Sequence, residues 1–271
     1  MTDDGLDGLA RWPGTHRAAG WLRADGTKAA AGDAGWPFPL ASVTKLLTAT
    51  AVLVAVQEEI VDLDEPAGPP GSTVRLLLCH ASGLAGDGGE PLSAPGQRRI
   101  YGNAAYERLG ALVAERAEVS FAEYLREGVL VPLGMVATTM AGSPAHGARS
   151  TLGDLLHFAG ELLAPGRVLA AELLAEATTS QLPDLDGVLP GFGRQSPNPW
   201  GLGFELRDHK APHWTPPQAS PATFGHFGRS GGFLWVDPEA GVACAALADR
   251  PFGDWAVQAW PPFTDGVLAA L

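Results

Sequence analysis

The sequence predicts an α+β fold: an antiparallel sheet flanked by helices and built from both ends of the chain, with an all-helical lobe inserted between them and a cleft where the two meet. Three observations carry this. Strand patterns open and close the chain; Ser42 to Glu59 contains no Gly or Pro and is apolar nearly all round; and the middle reads as helices separated by Gly and Pro breaks. The order strand, helices, strands, helix implies one body of 271 residues with a discontinuous sheet lobe, about 1–70 and 200–271, and a helical lobe of about 71–199.

Taken in order, Arg17 to Arg23 and Lys28 to Ala31 alternate like strands around the turn Ala24-Asp25-Gly26-Thr27, a hairpin. The apolar Ser42–Glu59 segment predicts a helix buried on most sides. Further helices are expected at Asn103–Glu118, Ser120–Glu127, Thr151–Ala164 and Leu169–Ala177, with capping boxes at Ser120/Glu123 and Thr151/Asp154. Gln181 to Pro199, rich in Pro, Gly and Asp, reads as a long loop. Strands return at Trp200–Leu206, Gly232–Val236 and Val242–Ala248, and a C-terminal helix is expected to break at Pro261-Pro262.

Composition narrows the functions. The formal net charge of −12 repels phosphate backbones and anionic lipid, so neither nucleic acid nor a membrane is an expected partner. Met1 to Gly14 carries three Asp and no long apolar run, and Leu46 to Val56 is too short to span a bilayer, so a cytoplasmic protein is expected. Cys79 and Cys244 fit no metal-ligand spacing and read as core thiols. His209 and His213 are separated by Pro212 and read as exposed loop residues. Trp200, Trp214 and Trp235 are candidates to line an apolar pocket. The chain has neither G-x-x-x-x-G-K-[ST] nor H-E-x-x-H, and no cofactor or metal is expected.

The chemistry rests on a constellation. In Ser42-Val43-Thr44-Lys45 a spacing of three puts a hydroxyl and an amine on one helix face, within reach of each other. The helix start offers a backbone N–H to an oxyanion, and both the helix dipole and the apolar surroundings disfavour a charged Lys45. With 11 Ser and 3 Lys, about 0.12 such matches arise by chance. Tyr101-Gly102-Asn103 is rarer, at about 0.02. Tyr101 can pass a proton to a leaving group; Asn103 can hold Lys45 and a substrate carbonyl, and also cap the next helix. His226-Phe227-Gly228 precedes a predicted strand, and its glycine-rich flanks let an edge approach a substrate, with a backbone N–H near Arg229 completing an oxyanion hole. Gly228-Arg229-Ser230-Gly231-Gly232 also matches the nucleophile elbow G-x-S-x-G. That reading needs a helix after the Ser and a His downstream, and both are missing.

S-x-x-K, Y-x-N and H-x-G in this order make the chain resemble the serine β-lactamase-like superfamily, in its class C β-lactamase, D-alanyl-D-alanine carboxypeptidase and family VIII esterase branch. Leu76 to Leu84 resembles the family's L-L-x-H-x-S-G-L segment, and Trp200-Gly201-Leu202-Gly203 matches in order. The resemblance implies that Ser42 is acylated, that Lys45 and Tyr101 share the proton work, that Asn103 orients Lys45 and substrate, and that His226, Gly228 and Arg229 line the substrate. His80 and Ser82 are implied to be structural. Because the family's third motif usually begins with Lys, His226 shifts the expectation from β-lactams towards small esters, with amides or β-lactams as side substrates. A β-lactamase or carboxypeptidase is the enzymatic alternative; a non-catalytic binding or regulatory module is the alternative of another class.

Overall fold

The computed structural model describes residues 4–271; Met1 to Asp3 of the acidic opening lie outside it. A short 3-10 turn (Asp7–Arg11) leads into β1 (Arg17–Arg23) and β2 (Lys28–Gly32), the predicted hairpin, with Trp21 opposite Ala29. Gly26 adopts φ +87°, which a hairpin turn requires, and the Thr27 N–H donates to Asp25 Oδ1 at 2.8 Å. β3 (Phe38–Pro39) and a 3-10 turn (Ala41–Val43) precede α1 (Thr44–Gln57), which is buried from Thr44 to Ala55.

Next come α2 (Val74–Leu78), α3 (Ala104–Ala117), α4 (Phe121–Leu125), β4 (Thr139–Met140), β5 (Ala148–Ser150), α5 (Leu152–Leu163) and α6 (Ala171–Ala177). Ser120 and Thr151 cap α4 and α5, accepting from the N–H groups of Glu123 and Asp154 at 3.2 Å each. Asp154 does not complete its capping box. Its carboxylate accepts instead from the Ala137 N–H and the Thr138 hydroxyl, tying the start of β4 to α5.

The last part holds β6 (Gly187–Leu189), β7 (Gly193–Gln195), β8 (Glu205–Leu206), β9 (Phe224–Gly228), β10 (Gly232–Asp237), β11 (Val242–Ala248) and α7 (Asp254–Ala269). The main sheet is antiparallel, in the order β2-β1-β11-β10-β9-β8, so the two ends of the chain close on each other through β1 and β11, where Trp21 faces Cys244.

Side chains of the central strands alternate between two cores. Ala243, Ala245 and Leu247 join one with α1 and α5; Val242, Cys244 and Ala246 join the other with Trp12, Trp260 and Phe263. A sheet covered on both faces accounts for the unbroken apolar runs of β10 and β11.

Four elements differ from expectation. The inserted region is not all helical, since β3, β5 and β4 form a small sheet, and α5 packs on the main sheet itself. The Gln181–Pro199 loop contains the β6–β7 hairpin, whose three-residue strands are hidden by flanking glycines. Trp200 to Leu206 is a strand only at Glu205–Leu206: Gly203 turns back at φ +95°, and a Cβ there would lie 2.1 Å from Ala49 Cβ of α1. Finally, α7 runs unbroken through Pro261 and Pro262. The prolines cost helical hydrogen bonds, but Trp260 and Phe263 on either side are packed into the second core and hold the helix together.

Candidate active site

Ser42 sits in the 3-10 turn at the head of α1, directly after Ala41, whose φ of +46° is unusual for a residue with a side chain. Lys45, one turn on, is fully buried. Its Nζ donates to Asn103 Oδ1 (2.8 Å) and to the Ala145 carbonyl (3.0 Å) and stands 3.3 Å from Ser42 Oγ. An uncharged amine has two N–H bonds, and these two acceptors occupy both; the lone pair is left for the Ser42 hydroxyl. Burial pushes the Lys45 pKa down to about 7 against the pull of Glu107 and Asp87, so the uncharged form is accessible at neutral pH.

Tyr101 lies on the loop before α3, its ring centroid 5.1 Å from Lys45 Nζ. Burial drives its phenol well above the usual value, and a hydrogen bond with Ser42 opposes the shift only in part, so it stays protonated. Asn103 occupies the N-cap position of α3, but its side chain does not cap. Oδ1 accepts from Lys45, and Nδ2 donates to Asp87 Oδ1 at 3.1 Å. Between holding Lys45 and capping the helix, both expected of it, the side chain does the first.

The third motif is itself part of β9, and the strand expected after it is β10. β8 pairs only with Phe224 and Gly225, so His226 to Gly228 form an open edge. That edge meets the Ser42 turn so closely that a Cβ on Gly228 would sit 2.3 Å from the Leu40 carbonyl oxygen. His226 Nδ1 is 2.6 Å from the Phe227 carbonyl, which can only accept; the ring proton is therefore on Nδ1, and Nε2 is an acceptor. Burial and the Lys45 charge lower its pKa to about 3, so it is neutral. Arg229 follows in the turn to β10. The Gly228 carbonyl accepts from Gly231 N–H at 3.0 Å, and the trans peptide directs the Arg229 N–H the opposite way, out of the turn. The G-x-S-x-G sequence is this hairpin turn, with strands on both sides.

Ser42, Tyr101, Asn103, His226, Phe227 and Arg229 border a cavity of about 320 Å³, whose lining does not include Lys45 or Gly228. Ser42, Tyr101, Asn103 and His226 supply its polar end, and Leu189, Phe227 and Phe252 supply an apolar wall. Trp200 lines it; Trp214 and Trp235 do not, being fully buried in the second core. His80 is buried at φ +57° with its ring 4.7 Å from that of Tyr101, a packing position behind the site. Among the described residues no cluster of three His, Cys, Asp or Glu side chains offers a metal site, and no helix is long and apolar enough to cross a membrane.

Sequence reasoning missed a charged network under Trp200. Glu205, buried in the cavity wall, accepts from Lys210, from His213 Nε2 (2.9 Å) and from Trp214 Nε1 (2.8 Å). Burial alone would raise its pKa, but His213 and Lys210 hold it down to about 2. The Thr215 N–H donates to His213 Nδ1 at 3.2 Å, which places the ring proton on the nitrogen facing Glu205. Contrary to expectation, His213 is buried; only His209 is exposed. The available signal was Lys210, one of three lysines, in a Trp- and Pro-rich segment.

A hydroxyl and a shielded amine at a helix start, facing the open edge of an antiparallel sheet, define a serine enzyme of the hydrolase or acyl-transferase class. The family model described as Beta-lactamase matches residues 13–267, and the chain belongs to that family. It is similar to a beta-lactamase from Mycobacterium bovis of known structure, with 52% identity, a TM-score of 0.96 and 98% of each chain covered. It also shares its fold with unliganded simvastatin synthase from Aspergillus terreus, at 17% identity, a TM-score of 0.79 and coverage of 98% of this chain and 96% of that one. A Beta-lactamase from Pseudomonas fluorescens is 23% identical over 206 residues, 60% of this chain and 58% of that protein.

Proposed function

We propose that the protein hydrolyses small esters through an acyl-enzyme on Ser42, with amides or β-lactams as side substrates, in the cytoplasm and without nucleic acid or membrane as a partner. The observation that carries this reading is the Lys45 amine, whose two N–H bonds are committed to Asn103 and Ala145 while its lone pair faces Ser42. Lys45 takes the Ser42 proton as Oγ attacks the acyl carbonyl. The N–H groups of Ser42 and Arg229 receive the oxyanion. Tyr101, protonated at neutral pH, hands its proton to the departing oxygen and regains one from Lys45. Water then attacks the acyl-enzyme by the reverse sequence and releases the acid.

Neutral His226 favours esters over β-lactams, because it presents no cation to a β-lactam carboxylate. The likeness to the Mycobacterium bovis beta-lactamase favours β-lactam hydrolysis as the second reading. Parallel turnover of p-nitrophenyl butyrate and nitrocefin separates the two: the ester is expected to be the better substrate by kcat/KM, and Ser42→Ala to abolish turnover of both. Faster nitrocefin turnover would establish the second reading. Unchanged ester turnover in Ser42→Ala would refute both, and ligand binding with no turnover at all would mark a non-catalytic module.

A further inference from the structure

A second and larger cavity adjoins the first. It encloses about 760 Å³ against about 320 Å³ and shares two wall residues with it, Tyr101 and Pro190. Ser42, His226 and Phe227 take no part in its walls. One side is the segment from Leu92 to Tyr101 and the other the segment from Asp184 to Arg194.

The two sides are fastened together. The buried Arg99 guanidinium donates to the carbonyls of Cys79, Gln181, Leu182 and Asn198 at 2.7–3.1 Å, and the Arg99 backbone N–H donates to the Asp186 carbonyl at 3.0 Å. Five bonds from one residue fix the groove's shape before any ligand arrives. Its rim combines exposed apolar side chains, Leu92 and Val188, with Arg98, an exposed cation that has no ion pair among the described residues. The smaller cavity has Leu189, Phe227 and Phe252 as its apolar wall, beside a polar lining that includes Glu205 and Arg229.

We propose that this groove is the leaving-group subsite, and that the preferred esters join a short apolar acyl group to a bulky amphipathic alcohol lying between Leu92 and Val188. The inference rests on the Ser42 acyl-enzyme reading. The two substituents of an attacked carbonyl diverge, and the departing oxygen must touch the residue that protonates it. Tyr101 is that residue, and it stands where the two cavities meet. The Ser42 Oγ–carbon bond forms first as the carbonyl π pair moves onto its oxygen; when that oxyanion collapses to the acyl-enzyme, the carbon–alkoxy bond breaks with its electron pair on the alkoxy oxygen. That oxygen takes the Tyr101 proton, replaced by the one Lys45 removed from Ser42, and the alcohol leaves along the groove.

Val188→Trp and Leu92→Trp fill the groove from opposite walls at exposed positions. With the acyl group fixed as butyryl, the ratio of kcat/KM for a naphthylmethyl ester to that for the methyl ester should fall about tenfold or more in either variant. Hydrolysis of the preformed butyryl-enzyme should keep its rate, because the alcohol has already gone. An unchanged ester ratio in both variants overturns the proposal. So does a shift in preference between butyryl and octanoyl methyl esters in its place, which would make the groove an acyl site. Failure of the wild-type chain to form any adduct at Ser42 is a separate observation and would remove the underlying reading.

Discussion

At Lys45 the decisive quantity is protonation. Its pKa of about 7, set chiefly by burial, predicts an acidic limb in kcat/KM: below that pH the ammonium has no lone pair and the rate falls about tenfold per pH unit, and above it the rate levels off. Lys45→Arg, which cannot lose its proton, should lower kcat by roughly 10² to 10⁴ and remove the limb. Asn103→Asp would place a carboxylate where the 2.8 Å acceptor now stands; an opposite charge favours the ammonium, so the limb should move to higher pH. A limb that stays in place in both variants would exclude Lys45 as the base. That Ser42, Lys45 and Tyr101 come together was legible in the sequence, because the proposed chemistry demands fixed residue types within short motifs, S-x-x-K and Y-x-N. Glu205 was not, because its donors lie five to nine residues away in an irregular segment and nothing periodic marks them.

Between the elements, what matters is how closely β9 approaches the head of α1. Gly228→Ala sets a Cβ against the Leu40 carbonyl at 2.3 Å, so the strand or the Ser42 turn must give way. We expect a stability loss of about 1–3 kcal/mol in urea unfolding together with a fall in kcat; a variant with normal stability and normal kcat would show that this contact does not place the oxyanion donor. The periodic helices α3 and α5 were readable from the sequence, α1 was readable as a long apolar run without Gly or Pro, and so was the flanking hairpin. The segment Trp200 to Leu206 misled, because its glycines serve close tertiary approach, Gly203 to α1 and Gly201 to Ala177 at the end of α6, rather than a strand. The prolines of α7 misled for a related reason: local preference predicts a break, and packing around Trp260 overrides it.

Across the whole molecule, the two chain ends close one sheet between two cores, and a buried ion pair lies where that sheet meets the cavity. Glu205 is held at about 2 against an ordinary 4.5. A depressed carboxylate contributes stability that is fully present above about 4.5 and is lost as pH falls towards 2, so wild-type unfolding free energy should decline across that window and the decline should shrink in Glu205→Gln. Lys210→Met leaves the carboxylate buried without its cation and should cost about 3–5 kcal/mol, much of it recovered in the Glu205→Gln/Lys210→Met double variant. Equal losses in single and double variants would mean that packing, not charge, is what Lys210 supplies. That strands from both ends share one antiparallel sheet followed from the strand patterns; the order within it, and the pairing of β1 with β11, did not. The small β3–β5–β4 sheet did not, since strands of two or three residues carry too little pattern to register.

The most direct test of the account is to locate the covalent adduct and follow its rate of formation. Treated with a fluorophosphonate and digested, the protein should carry the label on the peptide containing Ser42, with a labelling rate that rises through about pH 7 as Lys45 loses its proton. Labelling at another residue such as Ser230, or a rate at Ser42 that does not change with pH across that range, would contradict it.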